Sequence, residues 1–463
     1  MHYIVFVMVL FLSACSLTPE MTKPAAPVPE VFTVNGQTIP ASTNPTAEIG
    51  WREMFIDKRL QALIELALIN NRDLRIATLN VEAVKAQYGI ERSARVPSVG
   101  LSLDSTRQRS VTGGDSKVSQ IEEQNSLNVG ISAFEIDLFG RARSLSDAAF
   151  ARYLASDYGR QAAQISLISS VSEAYFSEQL AYEQLKLAED TLADWKKSLE
   201  LTIQLRMANQ NSALDVAQAE GQVASAEAIK IANKRALEQA RNALRQLVGS
   251  EIPSDLPESD LLSDQSVMNT SLPAGLPSDV LLHRPDILQA EQNLIAANED
   301  IGAARAAYFP RISLTTSIGY VSQDVRNLVG SGFETWSIAP QVTLPIFQGG
   351  RLDAELELAK VRKSTSIAEY EKAIQVAFKE VADGLVGSET YQLQTIAQKR
   401  VVSAAERRAK LSDLRYKAGV ERRLELLDSQ RQLYLAKQTL LELKQQELNN
   451  AVFLYKALGG GLK

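Results

Sequence analysis

The sequence predicts a mainly α-helical protein with a membrane β-barrel portion that more than one chain must build. Three observations lead there. Helical periodicity runs without proline from Arg141 to about Met207, which at 1.5 Å per residue makes a rod of about 100 Å. Two stretches switch to strand periodicity. Finally, aligning Asp73 with Asp286 also pairs Leu74 with Ile287, Ala77 with Ala290, Arg92 with Arg305, Pro97 with Pro310 and Leu101 with Leu314 without a gap. A constant offset held over that distance is the mark of an internal duplication.

Composition excludes several function classes. The 49 Lys and Arg against 55 Asp and Glu leave a formal charge of -6, which gives no electrostatic reason for a nucleic-acid partner. His2, His283 and Cys15 are the only residues of their types, so neither a Cys/His zinc site nor a Ser/His/Asp or Cys/His triad can be assembled. Neither Gly113-Gly114 nor Gly349-Gly350 has the spacing of a phosphate loop. A non-enzyme without cofactors is expected.

Along the chain, Ile4 to Leu12 is an apolar run too short to span a bilayer, and it ends in Leu12-Ser13-Ala14-Cys15. Residues 1–14 read as a signal peptide. Residues 15–57, with Pro19, Pro24, Pro27, Pro29, Pro40 and Pro45, read as an extended strap. The first repeat covers 58–248. Its helix begins near Asp57, where Leu60, Leu63, Ile64 and Ala67 share a face, and Pro97 ends the helical stretch. A hairpin over about 97–136 follows, with Val99, Leu101 and Leu103 on one strand and Leu127, Val129, Ile131 and Ala133 on the other. The rod then turns near Asn209-Gln210-Asn211 and returns to Val248.

A Pro- and Ser-rich linker, 249–279, separates the halves. The second repeat, 280–458, has its hairpin at about 311–345, with Ile312, Leu314, Thr316, Ile318 and Tyr320 facing Trp336, Ile338, Val342 and Leu344; residues 459–463 form a tail. Such strands are long enough to cross a bilayer, although the same alternation suits hairpins half-buried on a soluble core. Pro340 fits only at an edge or a bulge. Four strands cannot close a barrel, and an open edge is not tolerated in lipid, so a membrane barrel must be shared between chains.

Two charged helical turns correspond across the halves: Leu205 to Glu220, LRMANQNSALDVAQAE, and Leu414 to Arg431, LRYKAGVERRLELLDSQR. After Val420, one apolar seam holds Val420, Leu424, Leu427 and Tyr434, and another Leu426, Leu433, Ala436 and Leu440. Between them lies a polar face with Glu421, Glu425, Asp428 and Gln432. Two seams mean neighbours on both sides, as in the wall of a tube. A solvated helix face is the plainer reading of the acids.

Several stretches resemble one family. LLHRPDILQAEQNLIAANEDIGAARAAYFPRISL from Leu281, AQYGIERSARVPSV ending at Val99, Thr106 to Arg109, FEIDLFGRARS from Phe134, LPIFQGGRL from Leu344, LYKALGGG from Leu454 and Cys15-Ser16-Leu17 resemble the TolC-like outer-membrane efflux proteins, in the lipoprotein branch of OprM and its relatives. His283 stands where the family usually has arginine. The resemblance implies a lipid-bearing Cys15 and outer-membrane delivery. It also implies a trimer whose twelve strands, four per chain, form one barrel above a long periplasmic α-helical barrel. Its implied partners are a periplasmic adaptor and an inner-membrane transporter of the resistance-nodulation-division type, with the chain as their passive, small-molecule exit duct.

The resemblance also implies site residues. Leu424, Glu425, Asp428 and Arg431 match constriction residues of the periplasmic gate. Asp215 and Tyr416 match an interhelix latch whose usual arginine position holds Glu421, leaving Arg422 or Arg423 to substitute. Arg206, Ser212, Arg415 and Gly419 fall at tips that would dock the adaptor. In a trimer Glu425 and Asp428 would ring the axis with six carboxylates, favouring cations. The first-half turn has Gln218 and Gly221 in place of the second acid and the arginine, so the second half is expected to move on opening and the first to stay. Two alternatives stand beside this reading: a periplasmic coiled-coil lipoprotein scaffold without a pore, and a duct for another exporter class.

Overall fold

The computed structural model describes residues 17–29, 32–34, 37–38, 50–112, 118–259, 261–262, 278–328 and 333–460. Cys15 and the signal segment lie outside them. The elements in chain order are β1 (Thr33–Val34), β2 (Gln37–Thr38), α1 (Trp51–Met54), α2 (Lys58–Asn70), α3 (Arg72–Ser93), β3 (Val99–Thr112), β4 (Val118–Ile136), α4 (Arg141–Met207) and α5 (Ala213–Val248). They continue with α6 (Pro285–Ala306), β5 (Arg311–Ser322), β6 (Phe333–Thr343), α7 (Arg351–Lys417) and α8 (Arg423–Ala457). The chain forms two compact units: Met1–Ala25, Asn80–Asp157 and Gln289–Glu371 in the first; Ala26–Leu79, Tyr158–Leu288 and Lys372–Lys463 in the second. Each unit thus draws on both halves of the sequence.

The first unit holds an antiparallel sheet in the order β3-β4-β5-β6. Strand alternation gives it two unlike faces. Leu101, Val129, Ile318 and Trp336 lie abreast on one, and Ser102, Asn128, Gly319 and Thr335 abreast on the other. The apolar face is open, with Leu101, Leu103, Trp336 and Ile338 all exposed. A β-bulge between Ile131 and Phe134 sets two residues of β4 against one of β5. Ala133 takes a left-handed φ of 50° there, and its N–H donates to Thr315 Oγ1 at 3.1 Å. The bulge replaces Ala133 by Phe134 in the apolar row, which corrects the uninterrupted alternation read from sequence. Pro340 sits in β6, an edge strand of this sheet, where the missing N–H is best tolerated.

The strap is extended between Leu17 and Ala25 and lies along α6. Arg305 Nη1 donates to the Leu17 carbonyl at 3.1 Å, Thr18 Oγ1 to Glu299 at 2.8 Å, Asn298 Nδ2 to the Pro19 carbonyl at 2.9 Å, and Lys23 Nζ to Glu291 at 2.9 Å. The start of the strap is therefore held at the end of α6 that leads into β5.

The second unit is built on the apolar spacing expected for α2. Leu60, Leu63, Ile64 and Ala67 are fully buried with Trp51, Met54, Phe55, Ile168, Val171, Tyr175 and Val452. Asp57 caps α2 through the Arg59 and Leu60 amides and also accepts from the Tyr175 hydroxyl. His283 is exposed just before Pro285, the first residue of α6. No described helix is long and apolar enough to cross a membrane.

Candidate functional site

The site lies in the second unit, at the α4–α5 and α7–α8 turns. Both turns close alike: the Gln210 amide donates to the Leu205 carbonyl at 2.8 Å, and the Val420 amide to the Arg415 carbonyl at 3.0 Å. This six-to-one bond needs a left-handed residue just past the helix end. Gly419 takes it at φ 69° and Asn209 at φ 58°. Asparagine is the side chain that best tolerates that region, so the first turn keeps the geometry without glycine.

The helices that leave the turns begin differently. Ser212 caps α5 in a complete capping box: its hydroxyl accepts from the Asp215 amide at 3.2 Å, and the Asp215 carboxylate accepts from the Ser212 amide at 2.9 Å and hydroxyl at 2.6 Å. These hydrogen bonds from Ser212 hold the Asp215 carboxyl below its ordinary value, and the charge of Arg423 adds to the effect. Arg422 is the N-cap of α8 and makes no capping bond.

Between the turns, Asn211 Nδ2 donates to the Tyr416 hydroxyl at 3.0 Å. The residue packed on Tyr416 is Arg423: its guanidinium stands 5.5 Å from the ring centre, and its Nη2 donates to Ser198 Oγ at 3.1 Å. Arg423 is only 4% exposed, with no hydrogen-bond partner at Nε or Nη1, whereas Arg422 is exposed. Glu421 accepts instead from Arg415 Nε at 3.0 Å. Arg206, Ser212, Arg415 and Gly419 are all exposed.

The polar face of α8 carries a charge cluster that sequence reasoning only half found. Arg408, on α7, donates through Nη2 to Glu425 Oε1 at 2.6 Å and to Asp428 Oδ2 at 3.0 Å, and through Nη1 to Gln432 Oε1 at 3.0 Å. Arg431 Nη2 takes the other Asp428 oxygen at 2.8 Å. Hydrogen bonding to Arg408 holds the Asp428 carboxyl below its ordinary value against the opposing cost of desolvation, and Arg431 adds to the lowering. Leu424, on the adjoining turn of α8, is 66% exposed. A cleft of 560 Å³ runs beside these groups, walled by Trp195, Gln218 and Gln222 on one side and Leu424, Leu427 and Asp428 on the other. The described residues contain no cluster of three His, Cys, Asp or Glu able to hold a metal.

The comparisons with known proteins agree on kinship. The family model described as outer membrane efflux protein matches residues 63–250 and 276–460. The toluene efflux pump outer membrane protein TtgC of Pseudomonas putida is 43% identical over 455 residues, covering 97% of this chain and 93% of that protein. A membrane protein from Pseudomonas aeruginosa superposes with a TM-score of 0.89 at 38% identity, over 96% of this chain and 100% of its own. The open state of the Neisseria gonorrhoeae MtrE outer membrane channel does so with a TM-score of 0.87 at 39% identity, over 97% and 99%. The fold is that of outer-membrane channels, with long helical hairpins and a membrane-type sheet, and the chain belongs to the outer membrane efflux protein family.

Proposed function

We propose that the chain is one of three in an outer-membrane channel, the passive exit duct of a tripartite efflux pump, carrying small molecules and performing no reaction itself. The observation that carries this reading is the sheet. Its apolar face is open and its two outer strands, β3 and β6, each have an edge unpaired within the chain. In lipid such edges must be closed, and three copies supply twelve strands. A second observation supports the same closure. Phe139, which precedes Gly140-Arg141, stacks on Phe309 with ring centres 4.8 Å apart. The matching residue of the second half, Phe347, is 87% exposed, and so is Val96, the equivalent of Phe309, at 62%. A neighbouring copy would complete the second contact as the first half completes the first.

The division into repeats at 58–248 and 280–458 is supported by equal element lengths: α3 and α6 have 22 residues each, α4 and α7 have 67 each, and α5 and α8 have 36 and 35. A lipid on Cys15 would hang two residues from Leu17, at the end of α6 that leads into the sheet. That favours an outer-membrane anchor with the helical tunnel in the periplasm. The gate is assigned to Leu424, Glu425, Asp428 and Arg431, and the latch to Asp215 and Tyr416 with Arg423 in place of Arg422. The exposed tips, Arg206, Ser212, Arg415 and Gly419, suit an adaptor that links the duct to a transporter of the resistance-nodulation-division type.

Purified protein in planar bilayers is expected to give discrete channels, and proteases applied to intact outer membranes are expected to spare residues 99–112, 118–136, 311–322 and 333–343. Absence of channels together with cleavage there would replace the duct by a pore-free scaffold.

A further inference from the structure

We propose that Arg408 is a specificity-determining residue of the gate: from α7 it neutralises the acids of α8 and so sets the ion preference of the tip. This rests on the channel reading above. One guanidinium reaches three acceptors spread over two turns of α8, Glu425, Asp428 and Gln432, and the planar fork of arginine is what makes that reach possible. With Arg431 on the second Asp428 oxygen, two carboxylates meet two guanidinium groups within each chain. The acid face is therefore balanced, unlike the bare ring of carboxylates that its α8 residues alone suggest.

The two arginines differ in what they travel with. Arg431 lies on α8, one turn from Asp428, and stays with it wherever the helix goes. Arg408 lies on the other arm of the hairpin. Parting the arms removes its charge from both acids and leaves the α8 face net negative, so cation preference becomes coupled to the separation of α7 from α8. Of the other charged side chains along this stretch, Glu406 pairs with Lys437, Arg407 donates to Ser403, and Asp413 pairs with Lys417.

The test is the reversal potential of single channels in a KCl gradient. Removing one positive charge per chain, three per pore, should raise the K⁺/Cl⁻ permeability ratio of Arg408→Gln by about threefold at 0.1 M salt, where screening acts over about 10 Å. Arg408→Lys should fall between it and the wild type. Adding Asp428→Asn to Arg408→Gln should bring the ratio back towards the wild-type value, and Arg407→Gln should leave it unchanged. Channels of Arg408→Gln with the wild-type reversal potential would overturn the proposal while leaving the duct intact. If the wild type itself gives no channels, the duct reading falls and this one with it. If Arg408→Gln does not assemble, Arg408→Met, a neutral side chain of similar length, takes its place, and a wild-type ratio in that variant decides against the proposal.

Discussion

The difference between the two helix starts makes a prediction that can be worked from geometry. Arg422 has the backbone of an N-cap, with φ -77° and ψ 149°, close to the -86° and 162° of Ser212, yet makes no capping bond. Three residues on stands Glu425, the side chain a capping box requires. Arg422→Ser would therefore complete on α8 the box that α5 already has. An N-cap hydroxyl is worth about 1 kcal/mol, so the first turn of α8 should be held about fivefold more tightly in each chain. If opening unwinds that first turn in all three chains as a unit, the closed tip gains about 3 kcal/mol, on the order of 100-fold in the closed-to-open ratio. Competition between the new box and Arg408 for the Glu425 carboxylate works against part of this gain.

Hydrogen exchange of the amides of residues 423–426, measured beside single-channel open frequency, reads both effects. Exchange should slow there and openings should become rarer, and Ser212→Ala should loosen the first turn of α5 by a similar factor. Unchanged exchange at α8, or more frequent openings, would refute the idea that the missing cap makes the second turn the mobile one.

Two further outcomes follow from packing. Phe347→Ser removes an exposed ring assigned to a neighbouring copy; at about 1.5–3 kcal/mol per aromatic side chain buried, the assembly should dissociate at lower detergent in light scattering, while Phe139→Ser should instead destabilise the single chain. Gly302→Val drives a Cβ onto Thr18 Oγ1 and to 2.8 Å from Ser144 Oγ and 3.1 Å from the Thr18 Cα, which crowds the strap away from α6; limited proteolysis should then cut faster within residues 17–25, and an uncut strap would show that the side chains and α6 yield instead.

Much of this architecture can be read from the residues because period and punctuation agree. The helical stretch stops short of Pro97 and the sheet begins at Val99; the Asp57 cap and the Leu60, Leu63, Ile64 face fix where α2 starts and which side it buries. Ala133 escaped because a bulge adds a residue to one strand without changing its composition, so simple alternation assigns the wrong side chain to the face. The choice between Arg422 and Arg423 for the proposed latch stayed open for a related reason. A single residue of phase, about 100° around a helix, separates exposed Arg422 from buried Arg423, and the turn geometry that sets the phase is not written in the charge pattern.

Arg408 shows what would have been needed. In an antiparallel hairpin, partners stand at nearly equal distances from the turn, and the second hairpin obeys this along its length: Arg408 meets Glu425, Gln398 meets the Ala436 carbonyl, and Asn450 meets the Gly384 carbonyl. These pairs centre on Lys417, so Glu425 and Asp428, eight and eleven positions past it, must face residues about eight to eleven positions before it, at 406–409. Two adjacent arginines, Arg407 and Arg408, stand there. Only their phase differs, and the apolar stripe of α7 that would fix it, Tyr370, Ile374, Ala377 and Val381 at spacings of three and four, thins towards the tip to Val402 alone. Carrying that stripe forward along an unbroken helix of 67 residues accumulates error with every turn, because a straight α-helix and a supercoiled one drift apart by about 20° per heptad. The charge that balances the acids of the proposed gate is thus encoded by the pitch of a long helix and not by any motif beside those acids.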